Sequence, residues 1–315
     1  MNGQTAYGVP KAFIGGFRSG TTLLINLMGM HPQVSAWYEA KFLAEALRWM
    51  RVLQFPGEFE VESGYCAPPQ PSGFSLEAVA SRMRSQMEYD DARLRGLTHS
   101  GKGEHERYPL GADRIHYSLH DALAALGRWQ STLVGEVDGV ATAQATGGLI
   151  QELGSRHLQA EPGNFLINKT PELTRFGCEL RSSIGPHKMI LMVRDGREVV
   201  RSASALGWAE PVRLAYLWRE LIRQSREAAL PAPEDYLEIR YEDLVGEPTL
   251  IIDRICRFLA IPPLGPDIVQ EYERQAGIAI SPRTAGSPYP DQAAFDEIAI
   301  REAGDMLQEL GYLDR

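Results

Sequence analysis

One short stretch of this chain has the residue types and spacing to grip an anion. Ala12-Phe13-Ile14 runs into Gly15 and Gly16, then Phe17-Arg18-Ser19-Gly20-Thr21-Thr22, then Leu23 and Leu24. The spacing Gly15-x-x-x-x-Gly20 matches the first half of a phosphate-binding P-loop. Glycines let backbone N–H groups curl around an oxyanion, and the positive end of the following helix adds to them. The match then breaks. A nucleotide triphosphatase needs lysine directly after the second glycine, but Thr21 and Thr22 stand there and the cation lies ahead of Gly20, as Arg18. The loop suits an anion, and not the γ-phosphate and Mg²⁺ of ATP. The competing reading is an ordinary strand-to-helix turn with a surface arginine.

Other charged residues follow apolar runs. Glu39 comes after Gln33–Trp37 and Tyr38. An unperturbed glutamate, with pKa about 4.3, is ionised at neutral pH and can accept a proton. It can equally be a helix-start acid favoured by the dipole. Lys169 closes the strand-like Asn164–Asn168, either as a site cation or as a surface lysine. Arg194 follows Met189–Val193, a run apolar throughout, as a parallel strand buried on both faces requires. An arginine there can clamp a phosphate through two parallel N–H bonds, with Ser202 eight residues on adding a hydroxyl. A structural salt bridge is the other role open to Arg194.

The form Arg18-Ser19-Gly20-Thr21-Thr22-Leu23 resembles the 5′-phosphosulfate loop of sulfotransferases that use 3′-phosphoadenosine 5′-phosphosulfate (PAPS). It is most similar to the protein-tyrosine sulfotransferase branch and its bacterial relatives. The similarity runs from Phe13 to Leu259 and is weak over 51–160. It implies an α/β fold, a P-loop-like parallel sheet with helices on both faces, forming one sulfotransferase domain over 1–315. Residues 51–160 would be a helical acceptor-side or flap region within it. The resemblance implies that Glu39 is the general base. Arg18, Lys169 and the loop Ser19-Gly20-Thr21-Thr22 would hold the phosphosulfate. Arg194 and Ser202 would take the 3′-phosphate and Tyr241 the adenosine end, unless Tyr241 is a buried structural tyrosine. The two cationic cradles would lie at opposite ends of one sheet edge. The implied reaction is in-line sulfuryl transfer to a hydroxyl, without a metal. Two departures stand out. Leu206 replaces a further arginine of the tyrosine branch, and Ile280–Ser287 lacks the usual basic, glycine-rich form, leaving Ser281 or Arg283 to close over the nucleotide.

The elements that must position these groups are legible in outline. Leu23, Leu24, Leu27 and Met28 mark a first helix, stopped by Gly29 and Pro32. Tyr38-Glu39-Ala40-Lys41 opens a second, with Phe42, Leu43, Ala46, Leu47 and Met50 on its apolar side. Helices are expected over Leu76–Arg95, Leu119–Trp129 and Val140–Leu158, the last with small residues suited to packing close to the sheet. Thr170 is a candidate N-cap with Pro171 at the first helical position. Helices over Pro211–Ala229, Pro248–Leu259 and 292–311 frame a strand from Tyr236. Trp37 and Tyr38 either wall an acceptor pocket or pack in the core. His99–His116 is either a flap or a solvated loop.

Composition narrows the partners. With 315 residues, 44% hydrophobic and 23% charged, the chain reads as a soluble globular protein. A net charge of −9 argues against bulk nucleic-acid binding and mildly against a very acidic acceptor. The expected acceptor is a small-molecule, carbohydrate or lipid-linked hydroxyl, or a peptide tyrosine. No run approaches the roughly 18 apolar residues of a membrane span. The N-terminus is too short and polar for a signal peptide, and Cys66, Cys178 and Cys256 show no disulfide or metal spacing. A cytoplasmic protein is expected, with Cys178 and Cys256 as small core residues. The rival functions are a P-loop small-molecule kinase and a non-catalytic nucleotide-binding protein.

Overall fold

The computed structural model describes residues 8–54, 75–94, 115–135, 137–160, 163–277, 279–280 and 292–313. Cys66, most of the candidate flap (99–114) and the candidate closing loop at 281–287 lie outside them. In chain order the elements are β1 (Ala12–Gly15), α1 (Thr21–Gly29), β2 (Val34–Tyr38), α2 (Phe42–Gln54), α3 (Leu76–Leu94), α4 (Leu119–Thr132), α5 (Gly139–Ala160) and β3 (Phe165–Lys169). A 3₁₀ turn at Leu173–Phe176 leads to α6 (Gly177–Ile184), β4 (Lys188–Val193), α7 (Gly196–Ser204), α8 (Pro211–Ala229) and β5 (Tyr236–Arg240). The chain ends with α9 (Tyr241–Gly246), α10 (Pro248–Leu259), α11 (Ile268–Ala276) and α12 (Gln292–Glu309).

The five strands form one sheet in the order β2-β3-β1-β4-β5, and every pairing is parallel. Helices cover both faces, because alternate residues of each strand point to opposite sides. Ile14, Ile190 and Met192 join the core under α1, α10 and α11. Phe13 and Trp37 point the other way, into the core made with α2 to α6, and Leu191 and Val193 do the same toward α7, α8 and α12. Pro211 and Pro248 stand in the first turns of α8 and α10, where a missing N–H costs nothing. No helix among the described residues is long and apolar enough to cross a membrane.

Three local expectations change. Glu39 is not in a helix, since α2 begins at Phe42; the β2 register carries on past Tyr38, and the Glu39 N–H donates to Lys169 O at 2.9 Å. Thr170 caps no helix. Its hydroxyl accepts the Ala40 N–H at 2.8 Å and donates to Asn168 Oδ1 at 2.9 Å, tying the ends of β2 and β3 together. Cys178 is exposed on α6, while Cys256 is buried as expected.

The small face of α5 packs against helix and loop backbone rather than against the sheet alone. A Cβ on Gly147 would drive into Ser183 O of α6, and one on Gly154 into Gly8 O and Leu166 of β3. Gly148, next to Gly147, faces open space. Gly147→Ala should therefore destabilise the protein by about 1–3 kcal/mol through overpacking. Gly148→Ala should stabilise it by up to about 1 kcal/mol through helix propensity. Denaturant melts of the two variants read this opposition in sign; equal shifts would remove the close α5–α6 contact.

Candidate active site

The loop between β1 and α1 is shaped by backbone conformation. Gly16 (φ 129°), Arg18 (φ 50°) and Gly20 (φ 83°) all lie at positive φ. The Gly16 N–H donates to Pro171 O at 2.9 Å and Ser19 Oγ to Phe17 O at 2.9 Å, so the loop is held from both sides. Gly20 has a second reason to be glycine: a Cβ would collide with the ring of Tyr241. Helix α1 starts with no side-chain cap and no acid in its first turn. Its leading N–H groups and dipole therefore offer an unneutralised positive end to an anion.

Arg18 reaches across to α7 and the turn that follows it. Its Nε and Nη2 donate to Ser202 Oγ at 3.2 and 3.1 Å, and its guanidinium lies 5.1 Å from the centre of the Trp208 ring. Among the described residues no carboxylate pairs with it. Arg194, just past β4, stacks 4.5 Å from the Tyr241 ring centre and directs Nη1 toward Arg18 O at 3.5 Å. Its Nη2 lies 3.4 Å from Glu198, a long contact. Ser202 sits on α7, whose start is capped by Asp195 accepting from the Arg197 N–H at 2.9 Å. Arg18, Ser202, Arg194 and Tyr241 thus form one cluster, not two cradles at opposite ends of the edge. The cause is the adjacency of β1 and β4, a gap that one guanidinium spans. Leu206 is exposed and makes no part of this cluster.

A second cluster lies on the other side of the loop. Lys169, at the end of β3, is only 1% exposed. Its Nζ is 2.6 Å from Glu39 Oε1 and 3.9 Å from the centre of the Tyr38 ring. Lys41 takes the other carboxylate oxygen, Nζ to Oε2 at 2.8 Å. The Tyr38 hydroxyl is 3.5 Å from Thr22 Oγ1, which links this cluster to the first turn of α1. Burial works against the charged form of Glu39, but the Lys169 and Lys41 ammonium groups outweigh it and hold the carboxyl far below the ordinary range. Glu39 is also at positive φ (21°), so among the described residues two of the three non-glycine positions at positive φ, Arg18 and Glu39, are in this site. Such strain clusters where the surroundings over-determine a functional conformation.

Trp37 belongs to the core. It is fully buried, donates Nε1 to Tyr117 OH at 3.3 Å and stacks on His157. Burial pushes the His157 imidazole down to about 3, so it is neutral at pH 7. Lys41 and Trp208 are the site residues that motif reasoning missed. The signal for Lys41 was an opposite charge two residues from Glu39, in a segment that proves to be the turn between β2 and α2. The only signal for Trp208 was an aromatic beside Gly207 in a turn.

The ion pair sets a pH dependence. Glu39 would titrate near 4.5 in the unfolded chain and far lower in the folded one. Its contribution to stability is therefore complete above that value and is lost as pH falls below it. The stability difference between the protein and Glu39→Gln should be largest at neutral pH and shrink between about pH 5 and about pH 3. Urea melts across that range check this; a pH-independent difference would mean that Glu39 carries no favourable charge interaction.

A family model described as "Sulfotransferase family" matches residues 10–264. A putative protein-tyrosine sulfotransferase of Caenorhabditis elegans is 27% identical over 125 residues, covering 38% of this chain and 48% of that protein. Protein-tyrosine sulfotransferase 1 of Danio rerio is 36% identical over 110 residues, covering 32% of this chain and 31% of that protein. The match thus spans a half or less of each curated relative. Among solved structures, sulfotransferase STF9 from Mycobacterium avium aligns over 96% of this chain and 77% of its own, with a TM-score of 0.50 at 15% identity, a likeness of fold. With four-fifths of its length inside the family match, from just before β1 to just past α10, this chain is a member of the sulfotransferase family.

Proposed function

We propose that this protein transfers a sulfuryl group from PAPS to a hydroxyl acceptor. The observation that carries the reading is the order of groups along the carboxyl edge of the sheet. Following β2-β3-β1-β4-β5, they are Glu39, Lys169, the Gly15–Gly20 loop, Arg194 and Tyr241. A carboxylate and a buried cation lie at one side, an anion loop in the middle, and an arginine over a tyrosine at the other. Open α/β sheets bind ligands at this edge.

The residues fit such a nucleotide. The uncapped start of α1 and the guanidinium of Arg18, which has no described carboxylate partner, suit a phosphosulfate. Ser202 and Arg194 suit the 3′-phosphate, and the Tyr241 face suits the adenosine end. PAPS supplies a sulfuryl group on a good phosphate leaving group. Glu39 takes the proton of the acceptor hydroxyl as the new O–S bond forms. The bond between sulfur and the bridging oxygen breaks, and its electron pair stays on adenosine 3′,5′-bisphosphate. Lys169, Arg18 and the Thr21 and Thr22 hydroxyls balance that charge by fixed electrostatics. These cations supply here the charge neutralisation that Mg²⁺ gives in kinases. The acceptor is a hydroxyl on a small molecule, a carbohydrate, a lipid-linked alcohol or a peptide; the names of the curated relatives put tyrosine peptides into the test panel.

Adenosine 3′,5′-bisphosphate should raise the melting temperature, and ATP with Mg²⁺ should not; the opposite pattern would return the kinase reading. With PAPS and an acceptor found by screening, Glu39→Gln should lose roughly 10²–10⁴-fold in transfer rate. Full activity in that variant would remove Glu39 as the base.

A further inference from the structure

The same geometry that suits Glu39 to take a proton also hinders it. In this arrangement Oε1 accepts from Lys169 and Oε2 from Lys41. A carboxylate held by two ammonium groups is a poor proton acceptor. The two lysines differ, however. Lys169 is buried at the strand end, between Glu39 and the Tyr38 ring that leads to Thr22 and the anion loop. Lys41 comes from the β2–α2 link and has a side chain 37% exposed. A bound anion in the loop competes for Lys169, which lies on its side of the carboxylate, and leaves Lys41 where it is.

We propose that Lys41 is a positioning residue for Glu39: it keeps hold of Oε2 while Lys169 turns to the bound nucleotide, so that Oε1 becomes the atom that receives the acceptor proton. This rests on the nucleotide reading of the site. One ammonium thus serves the resting carboxylate and then the leaving phosphate, and the other fixes the carboxylate's rotation throughout. The base is masked without nucleotide and aimed with it. Among the described residues the charged groups acting on the carboxylate are these two lysines. Beyond Lys41 stands Glu172, whose carboxyl is pushed up by burial against the pull of Arg48, Arg175 and Lys41. Arg48 lies 3.6 Å from Glu172 and anchors it on the α2 side.

The test reads the carboxylate itself and needs no acceptor. Carboxyl-¹³C glutamate labelling gives NMR titrations in which the Glu39 signal is the one lost in E39Q. Calorimetry with adenosine 3′,5′-bisphosphate establishes binding separately. In the unliganded protein Glu39 should stay ionised far into the acid range. Saturating nucleotide should raise its midpoint by about 1–3 pH units, the usual influence of one adjacent cation. K169M should show that raised midpoint without nucleotide. K41M should raise the nucleotide-bound midpoint by a further step of about 1–3 units, K41R should restore it, and nucleotide affinity should stay the same in both. K41Q repeats the measurement if K41M does not fold. Nucleotide that binds and leaves the Glu39 titration unmoved would overturn the exchange, and K41M titrating like the parent would overturn the role of Lys41. Absence of nucleotide binding would instead overturn the reading of the site, and this inference with it.

Discussion

The contact on which the rest of the site depends is the buried pairing of Lys169 with Glu39 across the ends of β2 and β3. A lysine with 1% exposure cannot keep its charge without a partner at hydrogen-bond distance. It is met in the β2–β3 register that pairs Tyr38 with Lys169, beside the positive φ of Glu39 and the bond from the Glu39 N–H to Lys169 O. Thr170 completes the arrangement by bridging Ala40 and Asn168. The removal of one member of a buried pair typically costs about 3–5 kcal/mol, so function and stability are joined at this point. Evolution has little freedom to tune the proposed base without disturbing the sheet.

The opposite side of the anion loop follows a different principle. Arg18 is met there by a hydroxyl, an indole face and no described carboxylate, so its charge is solvated by neutral groups. Arg194 is stacked on Tyr241 and only loosely paired with Glu198. Cations held by neutral partners remain available to a phosphate at little cost, whereas in the proposed exchange Lys169 gives up one anion for another. The site thus combines a poised half and a latched half around the start of α1.

Much of this was legible in residue order, for identifiable reasons. Gly16 and Gly20 marked the loop because both turn the chain at positive φ, and Gly15 because a Cβ there would run into Thr174. Met189–Val193 announced a central strand by being apolar at every position, and Pro211 and Pro248 marked the starts of α8 and α10. The failures were equally physical. Tyr38-Glu39-Ala40-Lys41 has the composition of a helix start, but Tyr38 ends β2, Glu39 turns at positive φ with its N–H tied to β3, and the helix waits until Phe42. Thr170 has the type of an N-cap but spends its hydroxyl on a neighbouring strand end. The meeting of Arg18 with Ser202 depends on β4 lying beside β1, and no local pattern encodes strand order. Cys178 sits in a helix of the expected position but on its solvent side.

The Lys169–Glu39 contact joins residues 130 positions apart. Closing a loop of that length is entropically slow, and parallel strands reward the closure only after it is complete. During synthesis the N-terminal anion loop leaves the ribosome long before Lys169 exists. Until then Glu39 has only Lys41 beside it, in a chain still without its third strand. The proposed site is therefore completed late in chain assembly, and a truncated product ending before β3 would carry the phosphate-loop signature without Lys169 beside it.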